Sequence, residues 1–164
     1  MKLLRKLPLL VLFTILTYSC STDSVEDNVE AITADLVVPT TKTIEIEVLE
    51  LINDHRLSLG LNALESMSVV KSVAYTHTDY MVDNEVVSHD NFYTRSTYLK
   101  NNAGAKKVSE NVAYGYTSAQ SVVNAWIRSE GHKATIEGDF TNFEISAEQS
   151  KEGKWYYTNI FIKK

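Results

Sequence analysis

Apolar positions recur at helical spacing in three stretches of the chain and alternate in two others. Val48, Leu49 and Ile52, followed by His55-Arg56, predict a helix over Thr43–Leu59, and Gly60 supplies the stop. Ile44 and Ile46 alternate with glutamates and leave the start of this helix ambiguous. Met67, Val70, Ala74, His77 and Met81 stand three and four apart, so Ser66–Asn84 is a second helix with these residues on one face. His77 therefore points to the core or its edge, where a histidine is more often a hydrogen-bonded structural residue than a ligand. His55, between Asp54 and Arg56, reads as a solvated surface residue.

Val86 to Asp90 is an extended exit that places His89 beyond the helix end. Tyr93–Lys100 predicts a short helix, broken by Asn101-Asn102-Ala103-Gly104. The stretch Val108–Tyr116 is small and aromatic, and backbone contacts can hold Glu110 rigidly between Ser109 and Asn111. Ser118 caps a helix carrying Val122, Val123, Ala125, Trp126 and Ile127; Gly131 ends it and exposes His132. Phe143–Ala147 and Trp155–Ile162 alternate as strands, and the turn glycine in Lys151–Lys154 joins them as an antiparallel hairpin. Helices ahead of a terminal hairpin give an α+β layered domain. No internal repeat is visible.

The N-terminus changes the picture. Lys2, Arg5 and Lys6 precede the apolar run Leu7–Tyr18, which is too short to span a bilayer and reads as an export signal, residues 1–19. Cys20 follows directly and is the single cysteine of the 164 residues, so no intramolecular disulfide can form. A small residue followed by cysteine at this point resembles the lipobox of bacterial lipoproteins. Cys20 then becomes the lipidated first residue, anchored to a membrane by acyl chains such as palmitate. An ordinary secretory signal ending near a cysteine is the alternative. Residues 20–42 are rich in Ser, Thr, Asp and Glu without apolar periodicity and read as a disordered tether to a domain spanning 43–164. Asp23, Glu26, Asp27 and Glu30 read either as an outer-surface sorting signal or as plain linker.

Removing the signal leaves 13 Lys and Arg against 21 Asp and Glu, a balance of −8. That charge argues against nucleic acid as a partner and against recognition of anionic head groups by charge.

Candidate chemistry concentrates between Ser88 and His132. Ser88-His89, Ser109-Glu110-Asn111 and Gly131-His132 each stand at a junction between elements. Two imidazoles and a carboxylate suit a divalent metal or proton transfer near neutral pH. Their separations, 21 and 22 residues, fit no compact metal motif, so the fold must assemble any shared site. A hydrogen-bonded polar network that fixes loops would use the same residues.

The order and spacing of short pieces across residues 46–162 resemble a bacterial member of the CAP superfamily, or SCP-like domains, which includes cysteine-rich secretory proteins. The pieces are Leu51 to Arg56 with Gly60-Leu61, Ala74 through His77 to Met81, Ser88-His89 and Ser109-Glu110-Asn111-Val112-Ala113. Ala125-Trp126 through Ser129 to Gly131-His132, Phe140-Thr141 and Tyr156 to Phe161 complete the set. The resemblance implies a three-layer α-β-α sandwich with a central antiparallel sheet and a cleft lined by histidines and acids. It makes His89, Glu110 and His132 cleft residues, with Ser88, Asn111 and Trp126 as supports. It also implies a divalent cation such as zinc as the cofactor of some relatives. The second cleft acid of eukaryotic members corresponds to about Ser129, with Glu130 beside it, and Lys133-Ala134-Thr135 stands where the family usually has Arg-x-Asn after the last motif histidine.

Two functions follow from this reading. The leading one is an exported, lipid-anchored module that binds a small lipid, a protein partner or a metal through the cleft without turnover. The other is a hydrolase, in which Ser88, Ser109 or Ser129 acts beside His89 or His132, or a metal activates water with Glu110 as base. Neither a Gly-x-Ser-x-Gly elbow nor a His-Glu-x-x-His helix is present.

Overall fold

The structure is a computed structural model that describes residues 36–164. The expected signal, Cys20 and residues 20–35 of the expected tether lie outside the described residues. Of the remaining tether, Leu36 packs against the domain core and the Lys42 ammonium meets Glu148.

Helix α1 spans Thr43–Ser58. The Glu45 carboxylate accepts the Lys42 N–H at 2.7 Å, which fixes the helix start that the Ile/Glu alternation left open. Gly60, at φ +74°, turns the chain so that Leu61 N–H reaches Arg56 O and Gly60 N–H reaches Leu57 O, closing the last turn. One stripe of α1 is buried: Glu45, Val48, Ile52 and Arg56. The short strand β1, Glu65–Ser66, leads into α2, Ser68–Asp83, whose buried face includes Val70, Ala74, His77 and Met81 as the periodicity predicts.

Helix α3 spans Phe92–Ala103, longer than expected, because Asn101 and Asn102 continue it until Gly104 at φ +68° ends it. The segment around Glu110 is a strand, β2, Lys107–Tyr114. The sequence hid it because Glu110, a charged residue, sits on a buried position of the alternation. Helix α4, Ala119–Arg128, starts at Ser118, whose hydroxyl accepts the Ser121 N–H at 3.2 Å. It stops before Gly131. Ser129 is extended (φ −95°, ψ 120°) and starts a second helix, α5, Glu130–Ile136, so His132 rides on a helix and not on an open end.

Strands β3, Asn142–Gln149, and β4, Trp155–Lys163, form the expected hairpin in the register Ile145↔Asn159. The sheet order is β1-β3-β4-β2, antiparallel except that β1 runs parallel to β3, so the expected all-antiparallel sheet carries one parallel edge.

Both faces are covered, which makes three α-β-α layers. On one side Val48 and Ile52 of α1, Val122, Val123 and Trp126 of α4 and Ile136 of α5 pack on Phe143, Ile145, Tyr157 and Phe161. On the other, Val70, Val73 and Ala74 of α2 with Tyr98 and Leu99 of α3 pack on Ile160 and Ile162. Alternate β4 residues thus serve opposite cores, as the two-residue period of a strand requires.

β1 pairs with β3 only as far as Ser66↔Phe143, and side chains close the rest of that edge. Lys71 Nζ donates to Ile145 O and Glu45 Oε1 accepts from Ala147 N–H. Asn53 brackets Leu64, accepting its N–H at 2.8 Å and donating to its carbonyl at 3.1 Å. Exposed backbone that would otherwise template pairing with another chain is capped.

Candidate functional site

Glu110 lies on edge strand β2, its side chain about 1% exposed, and three charged or polar groups surround it. Arg95 of α3 grips it with two bonds, Nε to Oε2 at 2.9 Å and Nη2 to Oε1 at 2.7 Å. His89 Nδ1 stands 2.9 Å from Oε1, and His77 Nε2 lies 3.8 Å from the same oxygen. Burial alone would raise the carboxyl's pKa. The hydrogen bonds from His89 and Arg95, with the Arg95 charge, outweigh it and hold the group below the usual glutamate range.

The loop between α2 and α3 carries His89 into this cluster, and its backbone is held on both sides. His77 Nε2 is 2.8 Å from the Ser88 carbonyl, and Arg95 Nη1 donates to the Asp90 carbonyl. Glu85 and Asn91, with φ of 52° and 58°, bracket the loop in the left-handed region that non-glycine residues seldom occupy. Ser88 contributes through its carbonyl, while its hydroxyl accepts from the Asp90 N–H. His77 is kept below the ordinary histidine range by burial and then by the Arg95 charge.

His132 lies nearby on α5, close enough for the His89 charge to depress its pKa further after burial has lowered it. Its Nδ1 is 2.8 Å from Ser129 Oγ. Asn111 Nδ2 donates to the His132 carbonyl at 3.1 Å, and Trp126 Nε1 donates to the Val112 carbonyl at 3.1 Å. Asn111 and Trp126 therefore tie the helical layer to β2. Beside His132 opens a mainly apolar cavity of about 380 Å3, walled by Val87, Tyr114, Tyr116, Trp126 and Ser129. Two larger grooves, of about 590 and 600 Å3, flank β1 and contain none of His89, Glu110 or His132.

The expected trio is thus brought to one region, as a hydrogen-bonded His89–Glu110 pair with His132 alongside. Among the described residues no three His, Cys, Asp or Glu side chains stand as a ready metal-binding group. The chemistry of the cluster explains this, since Arg95 and His89 already engage both Glu110 oxygens. Arg95 and His77 were missed as site residues. The signal for Arg95 was a charge on the buried stripe of a short helix, three and four residues before Tyr98 and Leu99. His55 is not a free surface group: its Nε2 is 2.9 Å from Glu137 at the end of α5.

A three-layer α-β-α domain with a histidine-glutamate cleft at the edge of its sheet defines the class. The sequence matches the model of the cysteine-rich secretory protein (CAP) family over residues 49–161, and the chain belongs to that family. It is 32% identical over 126 residues to the uncharacterized membrane protein YlbC of Bacillus subtilis, covering 74% of this chain and 35% of that protein. The chain thus spans about a third of the length of that curated relative. An outer surface protein of Borrelia burgdorferi superposes with a TM-score of 0.65 at 23% identity, over 71% of this chain and 90% of that one. An extracellular SCP-domain protein of Bacillus anthracis gives a TM-score of 0.64 at 25% identity, over 73% and 40%.

Proposed function

We propose that the protein is an exported, membrane-anchored binding module whose cleft takes a ligand or partner without turning it over. The observation that carries this is the state of Glu110. Its negative charge is matched by Arg95 and its oxygens are engaged, so it holds the cleft together and is not free to act as a base. The apolar cavity beside His132 supplies the binding volume, with a polar end at His132 and Ser129. Its ligand is a small lipid-like molecule or an apolar side chain of a protein partner.

Export and anchoring rest on the basic-apolar leader and on Cys20 as the acylated residue. Similarity to an outer surface protein, an extracellular protein and a membrane protein accords with this placement. Among the described residues no helix is long and apolar enough to cross a membrane. Labelled palmitate incorporated into the wild type and lost in Cys20→Ala is the expected result; incorporation that survives the change removes the anchor.

A divalent cation such as zinc belongs to the same proposal in a narrower form. With Glu110 occupied, the ligands are the imidazoles of His89 and His132, and Glu110 stands behind His89 as carboxylates stand behind metal-bound histidines. Calorimetric titration with zinc tests it: heat lost in His89→Ala and His132→Ala supports the site, and no heat with the wild type removes it.

One contact favours the hydrolase reading, the 2.8 Å approach of Ser129 Oγ to His132 Nδ1, which is the spacing of a nucleophile and its base. Covalent labelling by a fluorophosphonate, abolished in Ser129→Ala, would establish it over simple binding.

A further inference from the structure

Three consecutive residues of the α2–α3 loop are each fastened by a different buried side chain. His77 approaches the Ser88 carbonyl at 2.8 Å, Glu110 meets the His89 imidazole at 2.9 Å, and Arg95 holds the Asp90 carbonyl. The three fasteners are joined to one another, Arg95 to Glu110 by two bonds and His77 to Glu110 at 3.8 Å. The loop itself has two left-handed non-glycine residues, Glu85 and Asn91, whose backbone strain needs such fastening to persist. Yet the ring that this apparatus serves is half open to solvent, at 53% side-chain exposure. A cluster with no task beyond packing would have no need to fix an exposed imidazole so closely.

We infer that His77 and Arg95 are positioning residues for His89, holding the ring in one tautomer with Nδ1–H on Glu110 and the Nε2 lone pair turned to the cleft. The chemistry follows from the partners. An ionised carboxylate whose remaining bonds come from a guanidinium can only accept, so the hydrogen between it and His89 sits on Nδ1. Nε2 is then left as an acceptor, and no protein group among the described residues bonds to it. Free histidine favours the opposite tautomer, with hydrogen on Nε2, so the arrangement has a signature of its own. This deepens the cleft reading by naming what the cleft offers at His89: an acceptor for a hydrogen-bond donor or a cation, not a donor for an anion. It rests on that reading for its use, but not for its detection.

The test is long-range 1H–15N correlation on the imidazole of His89 in metal-free, 15N-labelled protein above neutral pH, with no ligand added. The wild type should show a single Nδ1–H pattern. In Arg95→Met and His77→Leu the pattern should move toward the mixed, Nε2–H-rich pattern of free histidine. His77→Gln, which can still donate to the Ser88 carbonyl, should keep the wild-type pattern, and Arg95→Lys should keep less of it than Arg95 does. A wild-type His89 that carries its hydrogen on Nε2 overturns the inference outright. An unchanged pattern in a folded Arg95→Met or His77→Leu protein overturns it for that residue. Should a truncating variant fail to fold, the wild-type pattern and the two conservative variants still decide. The readout uses no ligand, so loss of the binding proposal leaves this result standing, and the reverse also holds.

Discussion

Glu45 and Lys71 meet at 2.7 Å in the interior, with side-chain exposures of 0% and 3%, and between them close the sheet edge that β1 is too short to cover. The carboxylate also accepts the Ala147 and Lys42 N–H groups, and the ammonium donates to the Ile145 carbonyl. Charges taken this far from water are tolerated only when paired and otherwise hydrogen-bonded.

Breaking the pair from one side should therefore be severe. Lys71→Met leaves an uncompensated buried carboxylate and is expected to cost about 3–5 kcal/mol, as is Glu45→Leu for the ammonium. The double variant Glu45→Leu/Lys71→Met removes both charges and should cost less than the two single changes added. It should not recover the wild type, because the Ala147 amide and Ile145 carbonyl remain without partners. Urea denaturation of the four proteins gives the cycle, and additive costs would show that the two charges do not depend on each other.

Asn53 does for β1 what that pair does for β3, and its loss should be felt at the surface as well as in stability. Asn53→Leu keeps roughly the volume and removes both bonds to Leu64. The expected cost is about 1–3 kcal/mol, together with a concentration-dependent rise in apparent size as the bare edge pairs with a second copy. Light scattering across a dilution series measures the second effect; a monomer at every concentration would mean that the edge needs no guard.

How much of this was written plainly in the sequence depends on which residues carry it. The helices around Val48, Val70 and Val122 and the β3–β4 hairpin announce themselves because enough apolar residues keep the period of each element for the charges among them not to hide it. Strand β2 and the burial of Glu45, Lys71 and Arg95 do not, because each puts a charge where a period expects an apolar residue. The partners that make those charges tolerable come from elements 15 to 102 residues away. The same holds in the cleft. His89, Glu110 and His132 could be named from residue type and family pattern, whereas Arg95 and His77 could be assigned only once α2, α3 and β2 were placed side by side. His55 misled for the opposite reason: its local sequence is polar, but its partner Glu137 lies 82 residues on.

Acid should weaken the fold in two stages. His77 and His132 both have pKa values lowered from 6.5, by burial first and then by the charges of Arg95 and His89 respectively. The unfolded chain therefore binds more protons as pH falls through 6.5, and stability declines there until the folded-state groups also protonate. Glu110 has its pKa lowered from 4.5, so its contribution is intact above that value and is lost as pH falls through the folded-state pKa. Glu144 opposes this limb, since burial raises its pKa and its stabilising contribution is present at low pH and lost as pH rises past 4.5. Denaturation midpoints measured against pH in the presence of a chelator should fall below pH 6.5, and His77→Gln should flatten that first stage. A profile level from pH 7 to 5 would mean that neither imidazole resists protonation.

Trp126 joins the fold to the proposed ligand volume, since it is buried in the core, bonds through Nε1 to the Val112 carbonyl and forms one wall of the cavity. Trp126→Phe keeps an aromatic ring, loses that bond and leaves space where the larger ring was. About 1–3 kcal/mol of stability should go, part of it from the carbonyl left without its donor and part from the void. Binding should change in a way that a merely destabilised protein would not show. A void opened against the cavity enlarges it, so an uncharged fluorescent apolar probe such as N-phenyl-1-naphthylamine, titrated well below the unfolding transition, should bind the variant differently from the wild type. His132→Ala, which alters the polar end and leaves the wall intact, should affect such an apolar probe less. If the two variants and the wild type take up the probe alike at a temperature where all are folded, the cavity beside His132 is not where apolar molecules are received.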